Sequence, residues 1–228
     1  MDVYAILLAD SRFPGGGHVH SGGLEEAVAR GLVAEVRDLP GFLAGRLRTA
    51  GELAAVFAAA AAHAGARKVH SGHWRLLDVE LDARTPSAAQ RDASRAQGRG
   101  TARAGRVAWP SPVLDGLLRV TPRPHHPVVL GALTGIAGGS PAEAALAVAY
   151  LAVSGPASAA VRLLGLDPFA VNAVVAGFAD ELRAVAGRAA AAAGDEPATL
   201  PAPGAPALDL LAEAQVRHHK EEVRLFAS

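Results

Sequence analysis

Cysteine is absent from the 228 residues, which excludes disulfides, thiolate metal sites and a cysteine nucleophile. Aromatic residues make up only 4% of the chain, a poor supply for strands, which draw on aromatic and β-branched side chains. Neither sign of charge prevails, with 22 Lys and Arg against 22 Asp and Glu, so no global basic surface invites nucleic acid. The opening Met1-Asp2-Val3-Tyr4 lacks the charged region and apolar core of a signal peptide. The apolar run 53–62 is too short to cross a bilayer. A soluble cytoplasmic protein with no membrane or nucleic-acid partner is expected.

Half of the chain is hydrophobic, and alanine leads that half. Alanine has the highest helix propensity and lets helix axes approach closely. The length allows one substantial core. No repeat of fixed period occurs, and Gly and Pro punctuate the chain into segments of mostly helical spacing. These are 2–9, 22–31 (Leu24, Ala27, Val28 and Leu32 on one face), 38–64, 69–81, 127–137, 141–153, 157–164, 168–193 and 207–222. Thr85-Pro86 reads as a cap opening a polar helix to about 108, with Arg91, Arg95, Arg99, Arg103 and Arg106 along one stripe. Ser140-Pro141-Ala142-Glu143 fits a capping box with Pro at the first helical position. Residues 111–124 look broken by prolines, and Gly155-Pro156 looks like a helix interruption. The prediction is an all-α bundle of about eight to ten helices over 1–194. A Pro-rich exposed linker over 195–206 then leads to a C-terminal helix and partner-binding tail over 207–228.

Candidate chemistry is sparse. The histidines pair as His18/His20, His70/His73, His125/His126 and His218/His219. His70 and His73, at i and i+3, could clamp one ion, but no nearby Asp or Glu completes a four-ligand spacing. The expectation is no dedicated metal site and no cofactor. Phe13-Pro14-Gly15-Gly16-Gly17 is glycine-rich, yet it lacks the Gly-Lys-Ser/Thr of a phosphate loop and follows no strand. Such a loop turns sharply or presses its backbone on a partner. His20 and Ser21 with Asp10 do not form a nucleophile elbow. Glu25 and Glu26 suit the positive end of a short helix. The arginine stripe reads as a solvated face or as a dock for an acidic partner. Arg224 and Phe226 near the chain end are of interface-anchor type, set against an ordinary frayed tail. No catalytic constellation emerges.

The N-terminal stretch Leu7-Leu8-Ala9-Asp10-Ser11, Phe13-Pro14-Gly15-Gly16-Gly17 and His20-Ser21-Gly22-Gly23-Leu24-Glu25 resembles the opening of the UreF family of urease accessory proteins. Ser94 with Gly98 resembles that family's central Ser-x-x-x-Gly helix. His126-Pro127-Val128 with Gly131 resembles its His-Pro-Val-x-x-Gly stretch. Tyr150-Leu151 and Ala160-Val161-Arg162-Leu163 fit the helices that follow, and Arg224-Leu225-Phe226-Ala227-Ser228 resembles its closing motif. Two places depart from the pattern. His18 stands where an aromatic is common, and Leu164-Gly165-Leu166-Asp167-Pro168 stands where Pro-Leu-Gly-Gln is usual.

The resemblance implies an all-helical, cytoplasmic, commonly homodimeric and non-enzymatic scaffold. It would join UreD (UreH in some organisms) to the GTPase UreG and couple GTP hydrolysis to nickel insertion into urease apoprotein. Carried over by motif, Glu25 would control that coupling. Arg224, Leu225 and Phe226 would meet UreD or recruit UreG, and Pro14, Gly16, Gly17, His20 and Ser21 would shape the same surface. The alternatives are a nickel-binding metallochaperone using surface histidine pairs and a small hydrolase or nucleotide-binding enzyme.

Overall fold

The computed structural model describes residues 3–10, 12–17 and 20–218. Among these every regular element is helical. In chain order they are α1 (Val3–Ala9), α2 (Leu24–Ala29), α3 (Leu39–Arg46), α4 (Glu52–Ala66), α5 (Ser71–Ala83) and α6 (Ala88–Ala108). They continue with α7 (Pro112–Val120), α8 (His126–Ile136), α9 (Pro141–Leu164), α10 (Pro168–Gly177), α11 (Ala179–Ala191) and α12 (Pro206–His218). A π-helical turn, Leu47–Gly51, joins α3 to α4 in one rod, so the helix expected over 38–64 is continuous.

The core forms where α4 crosses α8. A side chain at Gly131 would meet the Ala58 carbonyl oxygen at 2.1 Å, and one at Gly135 would meet that of Ala62 at 2.1 Å. Small residues four apart on both helices therefore set the crossing. Ten of the eleven residues of α8 are buried. Helix α9 packs across α4, and α11 lies over both. Trp74 and Phe57 are the largest fully buried side chains. Helix α9 is the one described helix long and apolar enough to cross a membrane, and 61% of that apolar window is buried within the protein.

Several boundaries depart from the sequence reading, each for a local reason. The cap of α6 is Ser87, whose Oγ accepts from the Gln90 amide at 3.2 Å. Thr85 instead donates its hydroxyl to Leu81 O at 2.9 Å and closes α5. Residues 112–120 form α7, because Ser111 caps it and Pro112 occupies the first turn, where no N–H is needed. Pro156 does not end a helix, and α9 runs through it. The helix expected over 168–193 is two, since the Phe178 amide turns back onto Val175 O at 3.1 Å and its ring is buried. Leu32 is 63% exposed and leaves the apolar face of α2.

The Pro-rich stretch over 195–206 is mostly exposed and is fastened like a strap by Pro197 and Leu200, which are buried. Helix α12 is docked, burying Leu208, Ala212 and Gln215 against α6 and α2. Its carboxylates do part of this work. Glu213 Oε1 accepts from Ser87 Oγ at 2.7 Å and from the Ala89 amide at 3.1 Å. Asp209 Oδ1 accepts from Gln90 Nε2 at 2.9 Å. Two acids four apart thus sit on the N-terminus of α6, where the helix dipole favours them.

Candidate functional site

A groove of about 670 Å³ runs between the glycine loop, the Gly22-Gly23 turn, α6, the start of α8, the middle of α9 and α12. The loop is fastened by its flanks. Asp10 Oδ1 accepts from the Arg12 amide at 2.8 Å, and the exposed Arg12 guanidinium holds the Asp10 carboxyl down to about 2. Phe13 stacks on Trp109 with ring centroids 6.2 Å apart, and Tyr4 meets the same indole edge-on at 5.9 Å. The loop then lies flat on α6, where a side chain at Gly100 would meet Gly15 O at 2.9 Å. Gly16 has φ +77°, a conformation that suits only glycine. Gly17 faces the Gln97 amide, Pro14 is exposed, and His20 lines the groove.

Ser94 and Gly98, four apart on α6, face the turn that opens α8. Gly98 leaves room for the Pro124 carbonyl, which would lie 2.0 Å from an added Cβ. Ser94 Oγ accepts from the His126 amide at 3.3 Å and donates to His125 Nδ1 at 3.0 Å. His125 Nε2–H donates to Asp82 Oδ1 at 3.0 Å, and Asp78 Oδ1 accepts from the His125 amide at 2.8 Å. Arg95 bridges Asp78 and Asp82 at 2.9 Å each and donates to Arg123 O. Burial acts against the charge on Arg95 and on Asp82, but their mutual hydrogen bonds outweigh it, so Arg95 is raised and Asp82 lowered. Burial lowers His125, keeping it neutral in this tautomer. His126 is pushed down to about 4, by burial first and by His20 second.

Ser94, His125 and Asp82 stand in the order of a hydrolase relay, but each is occupied. The Ser94 hydroxyl takes the His126 amide, and Asp82 takes Arg95. Their work here is to hold the α7–α8 turn.

Ser21 is fully buried, and its Oγ accepts from the Glu25 amide at 3.4 Å, so it shapes α2 from inside. Glu25 Oε2 accepts from Gln215 Nε2 of α12 at 2.8 Å. The glycine loop and His20 thus border one groove together with the Gly22-Gly23 turn, and Glu25 lies just beyond that turn, bonded to α12. His18 and the closing Arg224, Leu225 and Phe226 lie outside the described residues. The arginine stripe is divided. Arg91 and Arg95 fold inward onto Thr85 O and the α5 carboxylates, Arg106 pairs with Asp115 at 2.9 Å, and Arg99 and Arg103 are exposed. His73 is lowered by burial and then by His70. Among the described residues no three His, Asp or Glu are placed to hold a metal ion.

Sequence reasoning missed three contributors: the Asp78–Asp82–Arg95–His125 cluster, Gln215 and Arg46. Asp78 and Asp82 at i and i+4 on α5 were a legible signal of a cation-facing stripe. Gln215 and Arg46 carried no local signal, because their partners are 190 and 106 residues away in sequence.

The fold and the groove define an all-α protein in which Ser94, Arg95, His125 and Glu25 hold backbone and neighbouring helices. The UreF family model matches residues 33–179, more than half of the chain, and the chain belongs to the UreF family of urease accessory proteins. It is 48% identical to the urease accessory protein UreF of Mycobacterium sp. (strain JLS) over 98% of this chain and 97% of the relative. It is 47% identical to that of Mycolicibacterium vanbaalenii over the same shares, 98% and 97%. With the Mycobacterium bovis (strain BCG / Pasteur 1173P2) protein the figure is 43% over 98% and 97%.

Proposed function

We propose that this chain is a non-enzymatic scaffold that links UreD (UreH) to the GTPase UreG and supports GTP-dependent nickel insertion into urease apoprotein. It would act in the cytoplasm as a homodimer, with 1–194 as its body, 195–206 as the connecting stretch and 207–228 as the partner-binding end. The observation that carries this reading is the Glu25–Gln215 hydrogen bond at 2.8 Å. It joins the N-terminal Gly-Leu-Glu segment to α12, the helix that leads toward Arg224, Leu225 and Phe226. Gly17 and His20 line the neighbouring groove, Pro14 and Gly16 belong to the same short loop, and Ser21 is buried. A partner seated there would touch both ends of the chain at once.

The test is co-purification with UreD and UreG, followed by urease activation. Deleting residues 224–228 is expected to leave the helical fold intact, to lose the ternary complex and to abolish activation. Unchanged assembly and activation would remove the tail from the site. Glu25→Ala is expected to keep the complex but uncouple GTP hydrolysis from activation. Calorimetric titration of the isolated chain with nickel separates the rival. Submicromolar binding lost in His70→Ala/His73→Ala would replace the scaffold with a metal carrier.

A further inference from the structure

Three local irregularities meet at one side chain. The first is Pro156, inside α9. Proline has no N–H, so the carbonyl four residues earlier, that of Ala152, loses its regular helical donor. The second is the left-handed pair Gly22 (φ +65°) and Gly23 (φ +89°) that opens α2. The third is the π-helical turn Leu47–Gly51, an extra residue in the helical ladder of the kind that redirects side chains. The turn brings Gly51 against Ala152, where an added Cβ would lie 3.2 Å from the Ala152 methyl.

Arg46, the residue before that turn, answers the other two. Its Nε donates to Ala152 O at 3.0 Å and its Nη1 to Gly22 O at 2.7 Å. A side chain at Gly22 would fall 2.6 Å from the Arg46 Cζ, so the glycine is needed for room as well as for its backbone angle. No salt bridge to Arg46 occurs among the described residues. Burial lowers its guanidinium to about 10, which leaves it charged at neutral pH. Charge-assisted bonds to two carbonyls are what hold this half-buried cation.

We propose that Arg46 is the positioning residue of the Glu25 segment, tying the proline break of α9 to the glycine cap of α2. Gly22 lies three residues before Glu25, and Gly23 in turn seats Leu208 and Leu211 of α12 within 3.6–3.8 Å of a would-be Cβ. Both halves of the Glu25–Gln215 contact therefore rest on the cap that Arg46 holds. A displacement at the α9 break, which borders the groove through Ser154, Gly155 and Pro156, is transmitted to Glu25 through one planar group. The proposal rests on the scaffold reading only in treating Glu25 as a partner contact.

The test needs no partner. Hydrogen exchange compares wild type, Arg46→Met and Arg46→Lys, with and without Pro156→Ala. Arg46→Met is expected to speed exchange of the Arg30, Gly31 and Leu32 amides, which close α2, by at least about tenfold, the size of one lost charge-assisted bond. Amides of α5 should not change. Lysine reaches one carbonyl and not two, so Arg46→Lys should fall between. Pro156→Ala restores a backbone donor to Ala152, so the drop in the folding equilibrium constant caused by Arg46→Met should be about tenfold smaller in that background. Equal drops in both backgrounds, or unchanged α2 exchange, would overturn the proposal. UreD and UreG retention is then scored on the same variants. A wild type that retains neither partner, with the exchange pattern as expected, would defeat the scaffold reading and leave the Arg46 tie standing.

Discussion

Among single residues, the helix glycines carry different loads, and the structure ranks them. Gly131→Ala would drive a methyl onto the Ala58 carbonyl, 2.1 Å from the added carbon. Backbone cannot yield there without opening the α4–α8 crossing, so a loss of about 3 kcal/mol is expected. Gly187 sits in α11 with nothing within 4 Å of an added Cβ, so Gly187→Ala should stabilise by about 0.5–1 kcal/mol through helix propensity. Urea unfolding of the two variants checks both signs. His126 gives a pH prediction. Its folded value of about 4 lies below the usual ~6.5 of an unfolded histidine. Between those values the unfolded chain binds a proton that the folded chain does not. Stability therefore rises with pH across this window and is complete above it. The loss on going down to pH 4 is on the order of 3 kcal/mol. His125 is lowered by burial as well and adds to the slope in the same sense, whereas Asp209, raised by burial, works against it. His126→Asn should flatten the slope, read as urea midpoints between pH 4 and 7.

At the scale of elements, α12 is the helix whose placement rests most on polar contacts. Glu213 caps the first turn of α6 from another helix, and Asp209 reinforces it. Glu213→Ala should cost about 1 kcal/mol, the size of a lost N-cap. Hydrogen exchange should place that cost at the Ala89 amide and in α12, and not in α4 or α8. The long helix α9 makes the opposite point. It survives an internal proline because Arg46, from a different rod, donates to the carbonyl that the proline leaves without a partner. The sequence reading ended the helix at Gly155-Pro156 because local rules contain no donor 106 residues away. The same blindness placed the cap of α6 at Thr85. That residue is a good cap by type, but its hydroxyl was already committed to closing α5.

Over the whole molecule, the packing converts motifs scattered along the chain into one neighbourhood. Ser94 and Gly98 meet His125 and His126, Gly15 meets Gly100, and Glu25 meets Gln215. Each pairing explains why a small or hydrogen-bonding residue stands where it does. The strap over 195–205 is anchored by Pro197 and Leu200, and Arg84 donates to Ala198 O at 2.7 Å. Composition presents that stretch as an exposed linker, and it does not reveal these two anchors. Its prolines fit the strap equally well, since they need no hydrogen-bond donor and lose little entropy when fixed.

By itself the sequence determined the helical class, since alanine-rich segments with few aromatics and clear caps at Ser140 and Asp167 leave little else to form. It also determined the family, because the motif residues keep fixed spacing along the chain. The tertiary structure alone decided which motifs touch, where α12 rests and what Arg46 does. Those outcomes depend on hydrogen bonds between residues tens to nearly two hundred positions apart. Such bonds form only once burial has brought the helices together, and no local pattern encodes them.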